Sequence, residues 1–263
     1  MRVPKQAPAS YISFWGDVAA NFPSLKEAPS TEYYFACERM LFEEFFPPLR
    51  GRLLFKTDLW DEAKNSEILR WAAEQGARPA GVDIAFGIVQ QARRVFCEPR
   101  PGFVVADTRA IPFRSDSFDL VYSMGTIEHF PDYDVSVREI LRVLKPGGTA
   151  IVGVPNKLDP FLRPLMVCLL QRCGLYAYGT EKSFTAGALR GLLESAGFRF
   201  TAISGILFMP GWLRMFDLWC HTRCPRLTRL TGWLVGPFAW LYRRIPAVRR
   251  HGYLLACVVD KPK

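Results

Sequence analysis

The 263-residue chain predicts an α/β fold, a mostly parallel sheet flanked by helices, and three observations carry that prediction. Short apolar runs of strand length alternate with stretches of helical periodicity, which demands crossover connections and parallel pairing in a three-layer arrangement. Acidic residues close the apolar runs at Asp83 and Asp107, and in open sheets of this kind ligands sit at the carboxyl ends of the strands. Hydrophobic residues make up 49% of the chain, enough for one large domain with a full core.

Residues 1–50 read as an N-terminal helical cover. The first thirty are rich in Pro and Ala with little periodicity. Ser30 or Thr31 is placed to cap a helix through Phe46, with Tyr34, Cys37, Met40, Leu41 and Phe45 on its apolar face. Pro47 and Pro48 end it. Residues 51–204 form the core. The first strand, 53–55, is followed by Lys56-Thr57-Asp58-Leu59-Trp60-Asp61-Glu62-Ala63-Lys64-Asn65-Ser66, which holds no glycine. A helix with Ile68, Leu69, Ala72 and Ala73 on one face stops at Gly76. The second strand, 79–84, ends in Asp83 and Ile84, and a helix carrying Ile88, Val89, Ala92, Val95 and Phe96 follows it. A third strand, 104–106, leads into Asp107 and Thr108, and a fourth, 118–122, into Ser123, Met124 and Gly125.

After Glu128 and His129, Val135, Ile140, Leu141 and Leu144 recur at helical spacing, with Asp132 and Asp134 as capping candidates, until Pro146-Gly147-Gly148 breaks the helix. Residues 149–154 form the fifth strand. An apolar stretch over 158–178 is broken by Arg163 and Arg172. Thr185 caps a helix bearing Leu189, Leu192, Leu193 and Ala196 that stops at Gly197, and residues 198–203 are the sixth strand. The seventh, 253–259, lies in the closing segment 251–263. Between the last two strands stands an insert, 205–250, in which Trp and Leu clusters alternate with arginines.

Net charge is +9, and nearly all of the excess is late: residues 205–263 hold ten Arg and Lys against Asp217 and Asp260. Such a tail suits an acidic membrane surface, an anionic substrate or nucleic acid. Trp and Leu outnumber the polar groups that read bases, which disfavours nucleic acid. The thirteen uncharged residues 230–242 are too few to span a bilayer but suit an interfacial element. Seven scattered cysteines point to a reducing cytosol, and Cys220-His221-x-x-Cys224 alone makes a weak zinc case. The expected setting is cytoplasmic, with peripheral attachment to the inner face of the membrane through the insert. The competing expectation is a helical cap with solvated arginines.

The order Asp107-x-x-x-Ile111-Pro112-Phe113, Ser117-Phe118-Asp119-Leu120-Val121, Glu128-His129-Phe130-x-Asp132 and Arg142-Val143-Leu144-Lys145-Pro146-Gly147-Gly148 resembles the class I S-adenosylmethionine-dependent methyltransferases. The ubiquinone/menaquinone-type small-molecule branch is the nearest likeness, over roughly residues 51–204 plus the final strand. The resemblance implies a Rossmann-like, seven-stranded sheet, S-adenosyl-L-methionine as cofactor and a small apolar or lipid-linked acceptor, methylated at oxygen in preference to nitrogen or carbon. It departs from the family in the glycine-free segment after the first strand, where a Gly-x-Gly-x-Gly loop is the rule.

By this resemblance Asp58, with Asp61 and Glu62 as alternatives, holds the cofactor's ammonium, while Asn65 and Ser66 stand in for the small residues of the loop. Asp83 takes the ribose hydroxyls, or else caps the next helix, and Ile84 contacts the adenine. Asp107, with Thr108 beside it, accepts from the adenine amino group, and Ser123, Met124 and Gly125 lie under the sulfonium. His129 either removes the acceptor's proton, since histidine titrates in the useful range, or orients its loop. No metal is implied. A dehydrogenase is the natural rival for such a chain, but no Gly-x-Gly-x-x-Gly follows a strand. The second reading is a non-catalytic scaffold of the same fold, for which the glycine-free segment is the best support.

Overall fold

The computed structural model of the chain describes residues 11–96 and 102–263. A seven-stranded sheet runs in the order β3-β2-β1-β4-β5-β7-β6. The strands are β1 (Leu53–Lys56), β2 (Arg78–Asp83), β3 (Gly102–Val105), β4 (Phe118–Met124), β5 (Leu144–Pro155), β6 (Arg199–Ile206) and β7 (Leu254–Asp260). All pairings are parallel except those of β7, which is antiparallel to both β5 and β6. This is the Rossmann-like, mostly parallel sheet that the alternation predicts. The chain leaves β1 toward β2 and β3, then returns to β4 on the other side of β1. Strand order reverses between β1 and β4, and a crevice opens there at the carboxyl ends.

The helices are α1 (Tyr11–Asn21), α2 (Pro29–Phe45), α3 (Trp60–Lys64), α4 (Ile68–Glu74), α5 (Phe86–Arg94), α6 (Tyr133–Val143), α7 (Arg163–Arg172), α8 (Ala186–Ala196), α9 (Gly211–Arg223), α10 (Thr228–Arg244) and α11 (Pro246–Arg249). Consecutive strand residues face opposite layers. Leu54 and Tyr122 pack with α2 and α4, whereas Phe55 and Val121 pack with α6 and α8, giving two buried cores on the two faces. Thr185 caps α8 by accepting from the Ala188 N–H, and Gly197 ends that helix at φ +108°.

Three local expectations change. Helix α2 starts at Pro29 without a side-chain cap, and Ser30 and Thr31 are buried inside it: the Ser30 N–H donates to Asp217 of α9, and Thr31 Oγ1 donates to Asn65. Helix α1 occupies part of the stretch where little periodicity is visible. Asp132 sits at the N-cap of α6 but its carboxylate goes to Arg109, and Asp134 pairs with Arg138. The first ten residues lie outside the described residues.

The insert folds as α9, α10 and the short α11. Helices α9 and α10 pack on each other and on α2, so the N-terminal helix and the insert cover the same face of the sheet. Tyr242 of α10 fixes this layer to the end of β6 by donating to the Gly205 carbonyl over 2.8 Å. Among the described residues no helix is long and apolar enough to cross a membrane.

Candidate active site

A cavity of about 390 Å³ lies over the carboxyl ends of β1, β2 and β4. Its floor comes from the strand ends and α3, including Asp58, Asp61, Asn65, Asp83, Met124 and Gly125. Its roof comes from α1, the α7–α8 connection and α9, through Trp15, Phe22, Tyr178, Arg214, Met215 and Leu218.

The floor is organised by a lysine. Strand β1 ends on Lys56, whose side chain is fully buried. Its ammonium lies 3.0 Å from Asp58, 2.9 Å from Asp61 and 3.4 Å from Glu62. A buried cation is tolerated only where carboxylates and hydrogen bonds surround it, and here the three nearest acids come from the glycine-free segment itself. Glu38 of α2 adds a fourth carboxyl nearby, receiving hydrogen bonds from Tyr122 (2.9 Å) and Ser66 (2.5 Å).

Burial raises the proton affinity of the acids. Glu62 is pushed up to about 7 by burial, opposed by Lys56, and Glu38 and Asp58 also lie above the ordinary carboxyl range by burial. The acids still outnumber the one ammonium, and the buried Oε2 of Glu62 has no hydrogen-bond partner. A cationic ligand is what such a floor suits.

The segment after β1 dispenses with glycine because the close approach is made elsewhere. Leu59 lies across β2 at Gly81, where a Cβ would stand 2.7 Å from the Leu59 side chain and 3.2 Å from the Lys56 carbonyl. A glycine on the neighbouring strand lets a bulky segment lie flat over the strand ends. Leu59 in turn donates its N–H to Asp83 (3.0 Å), and Ala85 donates to the other carboxylate oxygen (2.8 Å). Burial carries Asp83 up to about 7 despite these two donors. Asp83 therefore fixes the segment and also faces the cavity.

A hydroxyl chain links the floor to β4. Thr57 Oγ1 is 2.8 Å from Ser123 Oγ and 3.1 Å from Thr126 Oγ1, and Thr126 donates to Asp58 over 3.0 Å. Gly125, at φ +72°, turns the chain between Met124 and Thr126 so that both line the cavity.

Of the residues expected from sequence, Asp58, Asn65, Asp83, Ile84, Thr108, Met124, Gly125 and His129 line the cavity together. Asn65 acts through Asp61, to which its amide donates over 2.7 Å. The other three point elsewhere. Ser66 turns toward α2, where its hydroxyl donates a hydrogen bond to Glu38. Asp107 is held at the rim by Arg109, 2.6 Å away. Burial raises its proton affinity, but the Arg109 hydrogen bonds outweigh that and keep it below the usual range. Ser123 is fully buried beneath Thr57, which faces the cavity in its place.

His129 projects under the roof, its ring edge-on to Trp15 of α1 at 4.9 Å. Its Nδ1 lies 3.1 Å from the Thr180 carbonyl, which can only accept, so Nδ1 carries the proton and Nε2 keeps its lone pair. Burial lowers its proton affinity, against the pull of Glu181, and keeps the ring neutral. Glu128, 4.0 Å from Nε2, is buried, and that burial raises its proton affinity far above the normal range.

Unforeseen from sequence are Lys56, Thr57, Thr126 and a buried pair, Arg163 and Glu181, at 2.5 Å, with Tyr176 donating to Glu181 and the Arg163 guanidinium 4.2 Å from the Tyr253 ring centre. Phe22, Trp60 and Tyr178 add an aromatic wall with ring centres 5.1 to 6.0 Å apart. Lys56 had a visible signal: a lysine closing an apolar strand, with three acids in the next six residues. Among the described residues no group of three or more His, Cys, Asp or Glu is placed to hold a metal; Cys220 is buried on α9 and Cys224 follows that helix.

Residues 64–152 match the family of methyltransferase domains. The 2-methyl-6-phytyl-1,4-hydroquinone methyltransferase of Synechocystis is 29% identical over 157 residues, which cover 56% of this chain and 46% of the relative. The ubiquinone/menaquinone biosynthesis C-methyltransferase UbiE of Geobacter sulfurreducens is 34% identical over 141 residues, 46% of this chain and 55% of the relative. The chain thus spans about half the length of each of these relatives. Among solved structures, a Haemonchus contortus phosphoethanolamine N-methyltransferase 2 bound to phosphomonomethylethanolamine and S-adenosylhomocysteine superposes with TM-score 0.63 at 18% identity, covering 99% of this chain and 61% of that one. The [4+2]-cyclase SpnF superposes with TM-score 0.60 at 18% identity, covering 100% and 98%. At such identities the likeness shows the fold alone, and the second case shows that the fold also hosts other chemistry.

Proposed function

We propose that the chain is an S-adenosylmethionine-dependent methyltransferase acting on a small, apolar or lipid-linked phenol or hydroquinone, with the methyl group placed on oxygen. The observation that carries the reading is the carboxyl-rich floor in a protein of net charge +9. The carboxyls outnumber the one buried lysine that they surround, and a sulfonium with its ammonium is complementary to the remainder. The matched methyltransferase domain and the hydroquinone methyltransferase relative support the cofactor and a quinol-type acceptor. Placement on oxygen rests on His129 alone, since the UbiE relative is named for transfer to carbon.

When bound, S-adenosylmethionine supplies an electrophilic methyl group on a positively charged sulfur. Asp58 and Asp61, held by Lys56, Thr126 and Asn65, would take the ammonium, and Asp83 the ribose. The fit is one of chemistry: Asp58, Asp61 and Asp83 present carboxyls to the cavity, while Glu62 stays paired with Lys56 beneath them. Lys56 disperses part of the charge, so the carboxyls coexist without a ligand and still leave net attraction for one.

Methyl transfer is an in-line displacement, and the protein's main contribution is position and desolvation. The wall of Phe22, Trp60 and Tyr178 suits the flat face of an aromatic acceptor. His129 Nε2 accepts the acceptor's hydroxyl proton, and Nδ1–H, held by Thr180, keeps the ring in the tautomer that can do so. Burial raises the proton affinity of Glu128 beside it, which disfavours a charged carboxylate next to the ring.

The scaffold reading loses its main support if the glycine-free segment leaves room for a ligand, and that segment lines the cavity through Asp58, Trp60 and Asp61 without filling it. The test is methyl transfer from labelled S-adenosylmethionine to a panel of prenylated phenols and hydroquinones, with products resolved by mass and fragmentation. O-methyl product formed by wild type, and lowered ~10²-fold or more in kcat by His129→Ala with unchanged cofactor affinity, is the expected result. Unchanged turnover in the variant at saturating acceptor removes His129 as the base, and a ring-methylated product reassigns the atom.

A further inference from the structure

Outside the cavity, the feature that stands out is an uncovered apolar face. On α9, Trp212, Met215, Phe216 and Trp219 recur at i, i+3, i+4 and i+7 and are all exposed, Trp212 at 61% and Trp219 at 53%. The opposite side of the same helix, Leu213, Asp217 and Cys220, is buried. This is amphipathic patterning turned inside out for a surface helix: both faces are apolar, and the outer one has no covering element among the described residues.

Helix α7 repeats the arrangement. Leu165 and Leu169 are exposed while Val167 packs inward, and α7 lies against α9. Helix α10, also packed on α9, shows Trp233 at 85% exposure. The cavity opens within this face, because Leu175 and Met215 both line it and both are exposed.

The charges around the face have one sign. Residues 205–250 hold eight arginines and a single acid, Asp217, which is buried and accepts the Ser30 N–H. Arg223, Arg226 and Arg229 stand exposed at the turn between α9 and α10, and Arg243 and Arg244 at the end of α10. Tryptophans and leucines bordered by arginines, on helices that do not cross a membrane, match the layered chemistry of a bilayer surface: hydrocarbon, then carbonyl and headgroup, then anionic phosphate.

We propose that α7, α9 and α10 dock on an anionic lipid bilayer and bring the cavity mouth between Leu175 and Met215 against the membrane, so that the acceptor enters from the lipid without crossing water. The docking stands on the exposed face and its charge; only the entry route rests on the proposed methyltransferase activity. Helix α7 is part of the surface although it lies outside the basic insert.

Vesicle flotation with phosphatidylcholine alone and with added phosphatidylglycerol tests the docking. The full chain is expected to float with the anionic vesicles and to lose association as salt is raised. Arg223→Glu/Arg226→Glu/Arg229→Glu should lower partitioning by at least about tenfold, since each basic residue near an anionic surface adds about a factor of five. Trp212→Ser/Trp219→Ser should lower it on both vesicle types, and Leu165→Ser/Leu169→Ser should weaken it through α7. None of these residues lines the cavity, so calorimetric affinity for S-adenosylmethionine should stay at the wild-type value and reports that each variant is folded. Wild type that stays at the bottom of the gradient overturns the proposal, as does equal flotation of the variants. A lipid-free dimer that both pairs of apolar substitutions dissociate assigns the face to a second copy and overturns it too. If flotation holds and no cofactor binds, the surface stands and the enzymatic reading falls.

Discussion

The cavity floor and the outer face of the helical layer are opposites in charge and in burial. The floor presents Asp58, Asp61 and Asp83, and Glu38 and Glu62 are buried near Lys56. The outer face shows tryptophans, leucines and arginines to solvent, with Asp217 tucked beneath it. A chain of net charge +9 has therefore sorted its charges, keeping acid where a cationic ligand would bind and base where an anionic surface would lie. Overall charge alone would have suggested an anionic small molecule. Position, not sum, decides what each region attracts.

The comparison breaks most sharply at Lys56. Removing the ammonium leaves buried carboxylates uncompensated, so Lys56→Met should cost about 3–5 kcal/mol in denaturant unfolding near neutral pH. The deficit should shrink at lower pH, where those acids take up protons. A full-sized loss that is independent of pH would mean that packing, not charge, is what the lysine provides.

Two substitutions probe the floor's shape and its ligand contact. Gly81→Ala places a methyl group 2.7 Å from Leu59, and overpacking of that kind should cost about 1–3 kcal/mol. It should also weaken cofactor binding by displacing the segment that Asp83 holds. Asp83→Ala should weaken cofactor binding by about 1–3 kcal/mol, read by calorimetry. Unchanged affinity would remove Asp83 from the site.

The last effect is one of pH. The folded-state value of Asp83, about 7, lies above its ordinary unfolded value, so the unfolded chain gives up this proton first. Its contribution therefore falls as pH rises from about 4 to about 7. His129 runs the other way, because its folded value is depressed and its neutral form gains as pH rises through the unfolded value. The melting temperature of Asp83→Asn relative to wild type should therefore rise over the Asp83 window. Cofactor affinity of the wild type should increase over the same range as the floor ionises. A cofactor affinity that is flat with pH would mean that the floor is already charged, or that it does not meet the cation.

The sheet was readable because each strand is an apolar run closed by a turn or an acid, and side-chain period and length decide such runs locally. Seven predicted strands correspond to seven observed ones. Helix α1 was not readable, because only Val18 and Ala19 of its residues are buried. Of its aromatic residues, Trp15 lines the cavity and packs at the edge of the core, Tyr11 lies against Phe130 and Phe14 against Trp15.

At the site, positions were easier to read than directions. Asp107 and Ser66 stand where a linear reading puts them, but Arg109 and Glu38 capture their side chains, and neither capture follows from spacing. The Arg163–Glu181 pair joins two points in a stretch without a recognisable pattern. The exchange of loop glycines for Gly81 on the neighbouring strand is a contact between separate segments, invisible until the strands are paired.

The most direct test of the central claim is calorimetric titration of the folded protein with S-adenosylmethionine and S-adenosylhomocysteine at neutral pH. The account predicts micromolar binding of both, weakened by Asp83→Ala and by Gly81→Ala. Correctly folded protein that binds neither compound, with or without lipid vesicles present, would contradict it and leave the fold serving as a membrane-surface scaffold.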